Sequence, residues 1–415
     1  MRRAVLGALA TVVVAGCGLV PRLTHEEPLP VLRNDAGWRA RSVLAPTTLG
    51  ARLVDPVAEA VWVADGTVPV AGPRTDVTAQ ALRDLHSLTR PNGAVAAGPD
   101  GPWAYAWPRD SAFVAVAYAE TGHAADARRV LGFLARVQLP DGGFEARYRL
   151  DGSGPPDDRP RQTDGAGWVL WSLERVRAAS SDRVLPPALR GLRDRAFAFS
   201  MAQTDGGRRL PEVSPDYWEV SERRVTLGTA APLAAGLEAA SRTFAAEGDT
   251  RRAARAARAA SGLRALIRSE FGPDYERHGH TGGLDAAVAM LMPPFAAADD
   301  AAAQRAWARY PVLALRSAGG LAPGVDWKSD GVSWTPETAM VAYTAAASGH
   351  PLVAEHWMTW LDRHCTSWGS LPEKVLPDGS PAGPAPLAWT AALVVLTESE
   401  LATRRAGVDA SVGLG

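Results

Sequence analysis

DGAGWVLWSLERVRAA, residues 164 to 179, is a helical stretch that is apolar on nearly every side. The helical segment before it, residues 124 to 138, is amphipathic, with Val130, Leu131 and Leu134 on one face and arginines elsewhere. A helix that is apolar all round must be buried, whereas an amphipathic helix exposes its polar face. Drier inner helices that alternate along the chain with wetter outer helices are typical of a double ring, so these segments predict an α/α toroid.

Helical segments follow one another at loosely regular spacing through most of the chain. Strand-like alternation is nearly absent, and apolar residues recur at helical spacing. The sequence therefore predicts an all-α fold, a monomeric (α/α)6 barrel of six hairpins over residues 76–404. The helices are predicted near residues 76–89, 109–121, 124–138, 164–179, 186–204, 226–247, 248–269, 284–291, 299–315, 335–348, 351–365 and 386–404.

The N-terminus has the pattern of an export signal. Two arginines precede an apolar run that is too short to span a bilayer, which needs about 20 apolar residues. The residues that end at Cys17 resemble a bacterial lipoprotein cleavage motif, and a plain secretory signal is the alternative. We predict a signal peptide over residues 1–17, acylation of Cys17, and a protein tethered by this lipid outside the cytoplasm, at the cell envelope. Residues 18–75 are predicted to form a tether and an N-terminal arm, and residues 405–415 a C-terminal tail.

Composition and charge exclude several classes of function. The chain has 44 basic and 45 acidic residues and no long basic stripe, so it lacks an electrostatic footprint for nucleic acid. It contains neither a phosphate-cradling loop nor a dinucleotide fingerprint, and we predict no cofactor. His278 and His280 have no third ligand nearby in the sequence, so we predict no metal site. A neutral substrate fits this charge balance best.

Two glutamates in loops between helical segments are candidates for chemistry. Glu219 lies in the run PDYWEV, and Glu373 lies in the run LPEKV. Hydrolysis of a glycosidic bond requires two carboxyl groups, one to protonate the leaving oxygen and one to activate water. Loss of solvent around Glu219, beside Trp218, favours the protonated form that a general acid needs. The alternatives are an acid on a solvated loop for Glu219 and a surface salt bridge between Glu373 and Lys374.

A second candidate cluster opens the helix predicted at residues 109–121. The run WAYAWPRD, residues 103–110, ends in Arg109 and Asp110. An Arg and Asp pair can hold sugar hydroxyls by bidentate hydrogen bonds, and indole faces suit the apolar faces of a pyranose. An ion pair at a helix start, with aromatic residues that fill the core, is equally compatible with this run.

Five short motifs follow one another between about residues 90 and 400. They are WPRD at 107–110, QTD at 162–164, DYWE at 216–219, LD at 284–285 ahead of PPF, and PE at 372–373 followed by PLAW. In this order they resemble the glucoamylase family, glycoside hydrolase family 15, and an ordered set is far more specific than any one motif. The (α/α)6 barrel of that family agrees with the helical pattern.

The resemblance implies an exo-acting, inverting enzyme that cleaves α-linked glucosides and has an oligosaccharide or glycan as its partner. It carries the general acid onto Glu219 and the general base onto Glu373. Substrate binding is predicted at seven residues of the quoted runs, namely Tyr105, Trp107, Arg109, Asp110, Asp164, Trp218 and Trp389.

The chain departs from the family's pattern at three places. Val220 stands where an acid often follows the general acid, Trp103 stands where Tyr is common, and the loop before Trp334 lacks an Arg. The bond cleaved therefore stays open between α-1,4, α-1,6 and the α,α-1,1 link of trehalose. Two other interpretations also stay open: a different carbohydrate enzyme on an α/α toroid, and a lipid-tethered glycan-binding protein without catalytic activity.

Overall fold

The computed structural model of the chain describes residues 31–33, 39–41, 56–69, 74–297 and 299–412. The helices in these ranges are α1 (Pro56–Ala64), α2 (Thr75–Leu88), α3 (Pro108–Glu120), α4 (Ala124–Val137), α5 (Asp164–Ala179), α6 (Pro187–Gln203), α7 (Leu227–Ala246), α8 (Thr250–Phe271), α9 (Ala301–Leu313), α10 (Thr335–Ala347), α11 (Pro351–Arg363) and α12 (Ala388–Val412). The strands are β1 (Val31–Arg33), β2 (Arg39–Arg41), β3 (Ser333–Trp334), β4 (Lys374–Val375) and β5 (Pro381–Ala382). Strand β1 pairs with β2, and β4 lies between β3 and β5, all antiparallel.

Six helical elements form a closed inner ring. Around it the order is α3, α5, α7, the 3₁₀-helix Ala286–Leu291, α10 and α12, and α12 packs back against α3. Each outer helix packs against the inner element that precedes it in the chain, and α2, which has no such element before it, packs against α12. The predicted all-α (α/α)6 barrel is confirmed.

The contrast between the two helices that predicted the fold is present in the structure. In the inner helix α5 nearly every residue is buried, including Trp168 and Trp171. The outer helix α4 buries Val130, Leu131 and Leu134 and leaves its arginines at the surface. The all-round apolar pattern of α5 is therefore the mark of a helix that has neighbours on every side.

Three features differ from the sequence-based prediction. Helix α1 lies in the stretch predicted as tether and arm, and its Trp62 ring stacks between His86 and His123. The fourth inner element is a short 3₁₀-helix, because Pro293 and Pro294 follow it closely and cannot continue a helix. Helix α12, predicted to end near residue 404, continues to Val412.

The predicted signal peptide and its acylated Cys17 lie outside the described residues and stay predictions. In the part of the chain that the structure describes, no helix combines the length and the apolar composition needed to cross a membrane.

Two glycines let the inner helices α5 and α7 cross closely. A Cβ atom built on Gly167 would lie 2.2 Å from the carbonyl oxygen of Pro232, and one built on Gly236 would lie 2.5 Å from the carbonyl oxygen of Gly167. Both clashes are with main-chain atoms, which cannot move aside as a flexible side chain does. The close spacing of α5 and α7 in the ring therefore requires residues without a Cβ atom at positions 167 and 236.

We predict that Gly167→Ala lowers the free energy of unfolding by about 1–3 kcal/mol, because overpacking forces the two helices apart. The matched control is Gly132→Ala in the outer helix α4, where the nearest atom to an added Cβ lies 3.8 Å away. This control should be neutral or stabilising by up to about 1 kcal/mol, since Ala favours a helix over Gly. Urea unfolding midpoints measure both, and equal midpoints for the two variants would contradict the close crossing.

Candidate active site

A cavity of about 290 Å³ lies where the inner ring presents the N-termini of its helices. First-turn residues of α3, α10 and α12 form part of its wall, and the connections before α3, α5, α7, α10 and α12 form the rest. The aromatic residues of the wall are Trp103, Trp107, Tyr217, Trp218, Trp334 and Trp389, and the charged residues are Arg109, Asp110, Arg147, Arg159, Glu219, Glu337, Glu373 and Lys374. Both predicted catalytic glutamates therefore line one cavity.

Glu219 lies in a tight turn that precedes α7. Its main-chain N–H donates to the carbonyl oxygen of Asp216 at 2.9 Å, and the N–H of Trp218 donates to Asp216 Oδ1 at 2.9 Å. The φ angle of Glu219 is +58°, in the left-handed region that residues with a side chain rarely adopt. This conformation costs about 1–2 kcal/mol, so contacts outside the turn must maintain it.

Arg277 supplies those contacts from behind the turn. Its guanidinium is only 2% exposed and donates to Asp216 Oδ1 at 2.7 Å, Glu222 Oε1 at 2.7 Å and Asp285 Oδ2 at 2.8 Å. The same group lies 3.7 Å from the centre of the Trp218 ring. Burial raises the pKa of Asp285 to about 6, and the charge of Arg277 opposes that rise. One buried cation thus joins the turn of the candidate acid to the loop that follows α8.

The carboxylate of Glu219 is surrounded by polar donors. Oε1 accepts hydrogen bonds from Gln162 Nε2 at 2.6 Å, Trp107 Nε1 at 2.9 Å and Arg109 Nη2 at 3.4 Å, and Oε2 accepts from Arg159 Nη1 at 2.5 Å. The side chain is 29% exposed. The environment predicted from the sequence, an acid kept dry by the tryptophan beside it, is therefore not the one observed.

Glu373 is held through its main chain. Its N–H donates to the carbonyl oxygen of Pro384 at 2.9 Å, and its own carbonyl oxygen accepts from the N–H of Thr335 at 3.0 Å. The next residue begins β4, whose Lys374 is paired in register with Trp334 of β3. The three-stranded sheet thereby attaches this glutamate to the start of α10.

The side chain of Glu373 is enclosed by the cavity wall. Trp103 Nε1 donates to Glu373 Oε1 at 3.1 Å, and Lys374 Nζ lies 3.3 Å from Glu373 Oε2. Glu373 is 11% exposed and Lys374 is 5% exposed, and the Lys374 ammonium lies over the Trp334 ring. The surface salt bridge weighed from the sequence is therefore a buried pair inside the cavity.

Arg109 and Asp110, at the start of α3, lie in the wall as predicted for substrate-binding residues. Arg109 Nη1 donates to Asp164 Oδ2 and to Gln162 Oε1, both at 3.0 Å. Asp164 is buried behind Arg109 and is not among the lining residues, so its contacts position the arginine. Burial raises the pKa of Asp110 to about 6, and Arg109 opposes that rise.

The predicted aromatic residues divide between the wall and the layer behind it. Trp107, Trp218 and Trp389 line the cavity, and the guanidinium of Arg109 lies 5.2 Å from the centre of the Trp389 ring. Tyr105 is not a lining residue, because Arg147 lies over its ring at 4.6 Å and stands in the wall itself. Tyr105 therefore supports the wall from outside.

Several residues of the site were not predicted. Trp103, Tyr217, Arg147, Arg159, Trp334, Glu337 and Lys374 line the cavity without having been assigned to it, and Arg277 anchors it. Trp103, Tyr217 and Lys374 are neighbours in sequence of predicted residues, which is the signal that could have found them, whereas the others have no such neighbour. His278, weighed as a metal ligand, has Nε2 at 2.8 Å from Glu222, and the described residues contain no cluster suited to a metal ion.

The two glutamates belong to opposite sides of the inner ring. Glu219 precedes α7 and contacts Arg109 of α3, whereas Glu373 precedes α12 and is bonded to the first residue of α10. In the ring, α7 and α12 are separated by two elements in either direction. A ligand that fills the cavity would therefore lie between the two carboxyl groups.

The fold and the cavity define an (α/α)6 barrel with a pocket that is lined by four acidic and four basic side chains, and solved structures share this fold. A glycosidase in complex with glucose is 21% identical with a TM-score of 0.69, over 84% of this chain and 99% of that one. A bacterial glucoamylase complexed with acarbose is 16% identical with a TM-score of 0.67, over 83% and 57%. The glucoamylase from Saccharomycopsis fibuligera is 16% identical with a TM-score of 0.63, over 85% and 97%. The predicted resemblance to glucoamylases is thus confirmed in the fold.

Sequence similarity to known proteins covers a smaller part of the chain than structural similarity does. No protein-family model matches it. An uncharacterized glycosyl hydrolase of Methanocaldococcus jannaschii is 28% identical over 109 residues, which are 26% of this chain and only 17% of the length of that relative.

We predict that Arg277→Met lowers the free energy of unfolding by about 3–5 kcal/mol, because it leaves buried carboxylates without their partner. The matched control is Arg208→Met, which removes an arginine that is 81% exposed and pairs with Asp205 at the surface. That change should cost no more than about 0.5–1 kcal/mol. Urea unfolding monitored by circular dichroism compares the two, and a control as damaging as Arg277→Met would contradict the anchoring role.

Proposed function

We propose that the chain is an inverting, exo-acting glycoside hydrolase of α-linked glucosides, related to the glucoamylases. Glu219 acts as the general acid and Glu373 as the general base. The observation that carries the proposal is that both carboxyl groups line one cavity from opposite sides of the inner ring. Inversion needs this arrangement, because the acid must reach the leaving oxygen while the base holds water on the other face of the sugar.

The reaction follows from these positions. Protonated Glu219 gives its proton to the glycosidic oxygen as the bond from that oxygen to the anomeric carbon breaks. Glu373 takes a proton from a water molecule, whose oxygen forms the new bond to the anomeric carbon on the opposite face. The released sugar therefore has the inverted configuration, and the two carboxyl groups end with exchanged protonation states.

The remaining residues of the wall hold the sugar. Arg109 and Asp110 are buried polar groups at the start of α3 and supply hydrogen bonds to hydroxyls. The rings of Trp107, Trp218 and Trp389 supply apolar faces. Arg159 bonds to Glu219 where that side chain is exposed, so an entering leaving group has to replace this contact.

The size of the cavity supports attack at a chain end. Its volume of about 290 Å³ lies just below the range for ligand pockets, about 300–1,000 Å³. Such a pocket suits the terminal sugar of a chain better than an internal stretch. The loop before β3 lacks the arginine that is common in glucoamylases. Three other cations, Lys374, Arg147 and Arg159, are present in the cavity wall.

We predict that Glu219→Gln and Glu373→Gln each lower kcat by at least about 100-fold, because a general acid or base contributes about 10²- to 10⁴-fold. The assay uses the purified protein with maltose, isomaltose and trehalose, and follows released glucose. Circular dichroism checks that both variants remain folded.

The matched control is Glu212→Gln, since the Glu212 side chain lies on the loop before α7 but is 71% exposed. Its kcat should equal that of the unchanged protein. Full activity in either Glu219→Gln or Glu373→Gln would reject the assignment of roles, and failure of the unchanged protein on every α-glucoside would reject the substrate class.

A further inference from the structure

Glu337 is a third glutamate in the wall of the cavity. It belongs to the first turn of α10, and only 3% of its surface is exposed. The sequence accounts for it merely as an acid near a helix N-terminus, in the run Thr335-Pro-Glu. The mechanism proposed above gives it no role.

The usual reason for a glutamate at this position does not apply. A Glu in the first turn often bonds back to the main-chain N–H of the residue that caps the helix. Here the capping residue is Trp334, and its N–H donates to the carbonyl oxygen of Leu321 at 2.7 Å. In the described part of the chain, no group makes a hydrogen bond to Glu337 Oε2, although this atom is buried.

An unbonded buried carboxyl oxygen is costly, and one that lines a cavity can recover this cost by bonding to a ligand there. Burial, together with the charge of Glu373 nearby, raises the pKa of Glu337 to about 8. At neutral pH the group is therefore mostly uncharged, and it can both donate and accept a hydrogen bond. A sugar hydroxyl, which also does both, is its natural complement.

We propose that Glu337 determines specificity by hydrogen bonding to one hydroxyl group of the sugar held in the cavity. This inference rests on the proposed function, in that it takes the ligand to be a sugar. A cationic amino group is a poorer complement, because the cations Arg109 and Lys374 line the same cavity. Glu337 thus belongs to substrate recognition, while proton transfer remains with Glu219 and Glu373.

Two variants separate a hydrogen bond from a charge and from a structural role. Glu337→Ala removes the group, and Glu337→Gln keeps a donor and an acceptor in the same shape. The substrates are the best α-glucoside of the panel and the set of its analogues that each lack one hydroxyl on the terminal sugar.

On the parent substrate we expect Glu337→Ala to lower kcat/KM about 10- to 100-fold and Glu337→Gln to stay within about threefold of the unchanged protein. On one analogue, the one that lacks the bonded hydroxyl, the unchanged protein and Glu337→Ala should be equal. The Tm of Glu337→Ala should fall by only a few degrees, because Oε2, one of the two oxygens removed, has no hydrogen bond to any described group.

Glucose binding by calorimetry provides a readout that does not need turnover, and Glu337→Ala should weaken it by a similar factor. If no α-glucoside is turned over but this difference in binding appears, the proposed function fails and the role of Glu337 stands. A loss that is the same on every analogue, or a Glu337→Gln variant as weak as Glu337→Ala, would overturn the proposal.

Discussion

A single buried guanidinium is the constraint on which the candidate site depends. Arg277 bonds to Asp216, Glu222 and Asp285, and so ties the turn before α7 to the loop after α8. Buried charges are stable only when they are paired and bonded, so the loss of any one member would leave the others buried without a partner. Its consequence is local: Glu219 stays in a left-handed conformation that the isolated turn would abandon. The ring of inner helices is rigid, and the contacts of Arg277 fix the turn that contains Glu219 to this ring.

The two candidate catalytic groups are held by different means. Glu219 has polar side chains around its carboxylate, so its surroundings can change when a substrate enters. Glu373 is fixed through main-chain hydrogen bonds on both sides and through β4. The first turns of the inner helices also place positive main-chain dipole at this end of the ring, which favours several acids in one small space. The candidate acid is therefore held by side-chain contacts that a leaving group can replace, whereas the candidate base is fixed through its main chain.

The sequence predicted the fold almost completely, because the ring consists of helices with local apolar periodicity. The helices at 124–138 and 164–179 already contained the contrast between outer and inner positions. It also predicted that the loops of Glu219 and Glu373 take part in one site, because both residues belong to ordered motifs, but it missed the loop that contributes Arg147 and Arg159. The sequence could not predict the contacts between residues that are far apart along the chain. Arg277 lies 61 residues from Asp216 along the chain, and nothing local marks it as an anchor. The solvent exposure of Glu219 and the enclosure of Glu337 likewise depend on side chains from other elements.

The central claim is that the two glutamates act from opposite faces of one sugar. The most direct test is proton NMR of the anomeric region during the first minutes of hydrolysis of an α-glucoside whose leaving group is not a sugar, such as p-nitrophenyl α-glucoside, before mutarotation mixes the products. The account predicts that β-glucose appears first and that α-glucose grows in afterwards at the rate of mutarotation. Initial release of α-glucose would contradict the account, because retention requires two carboxyl groups close enough for one of them to bond to the sugar.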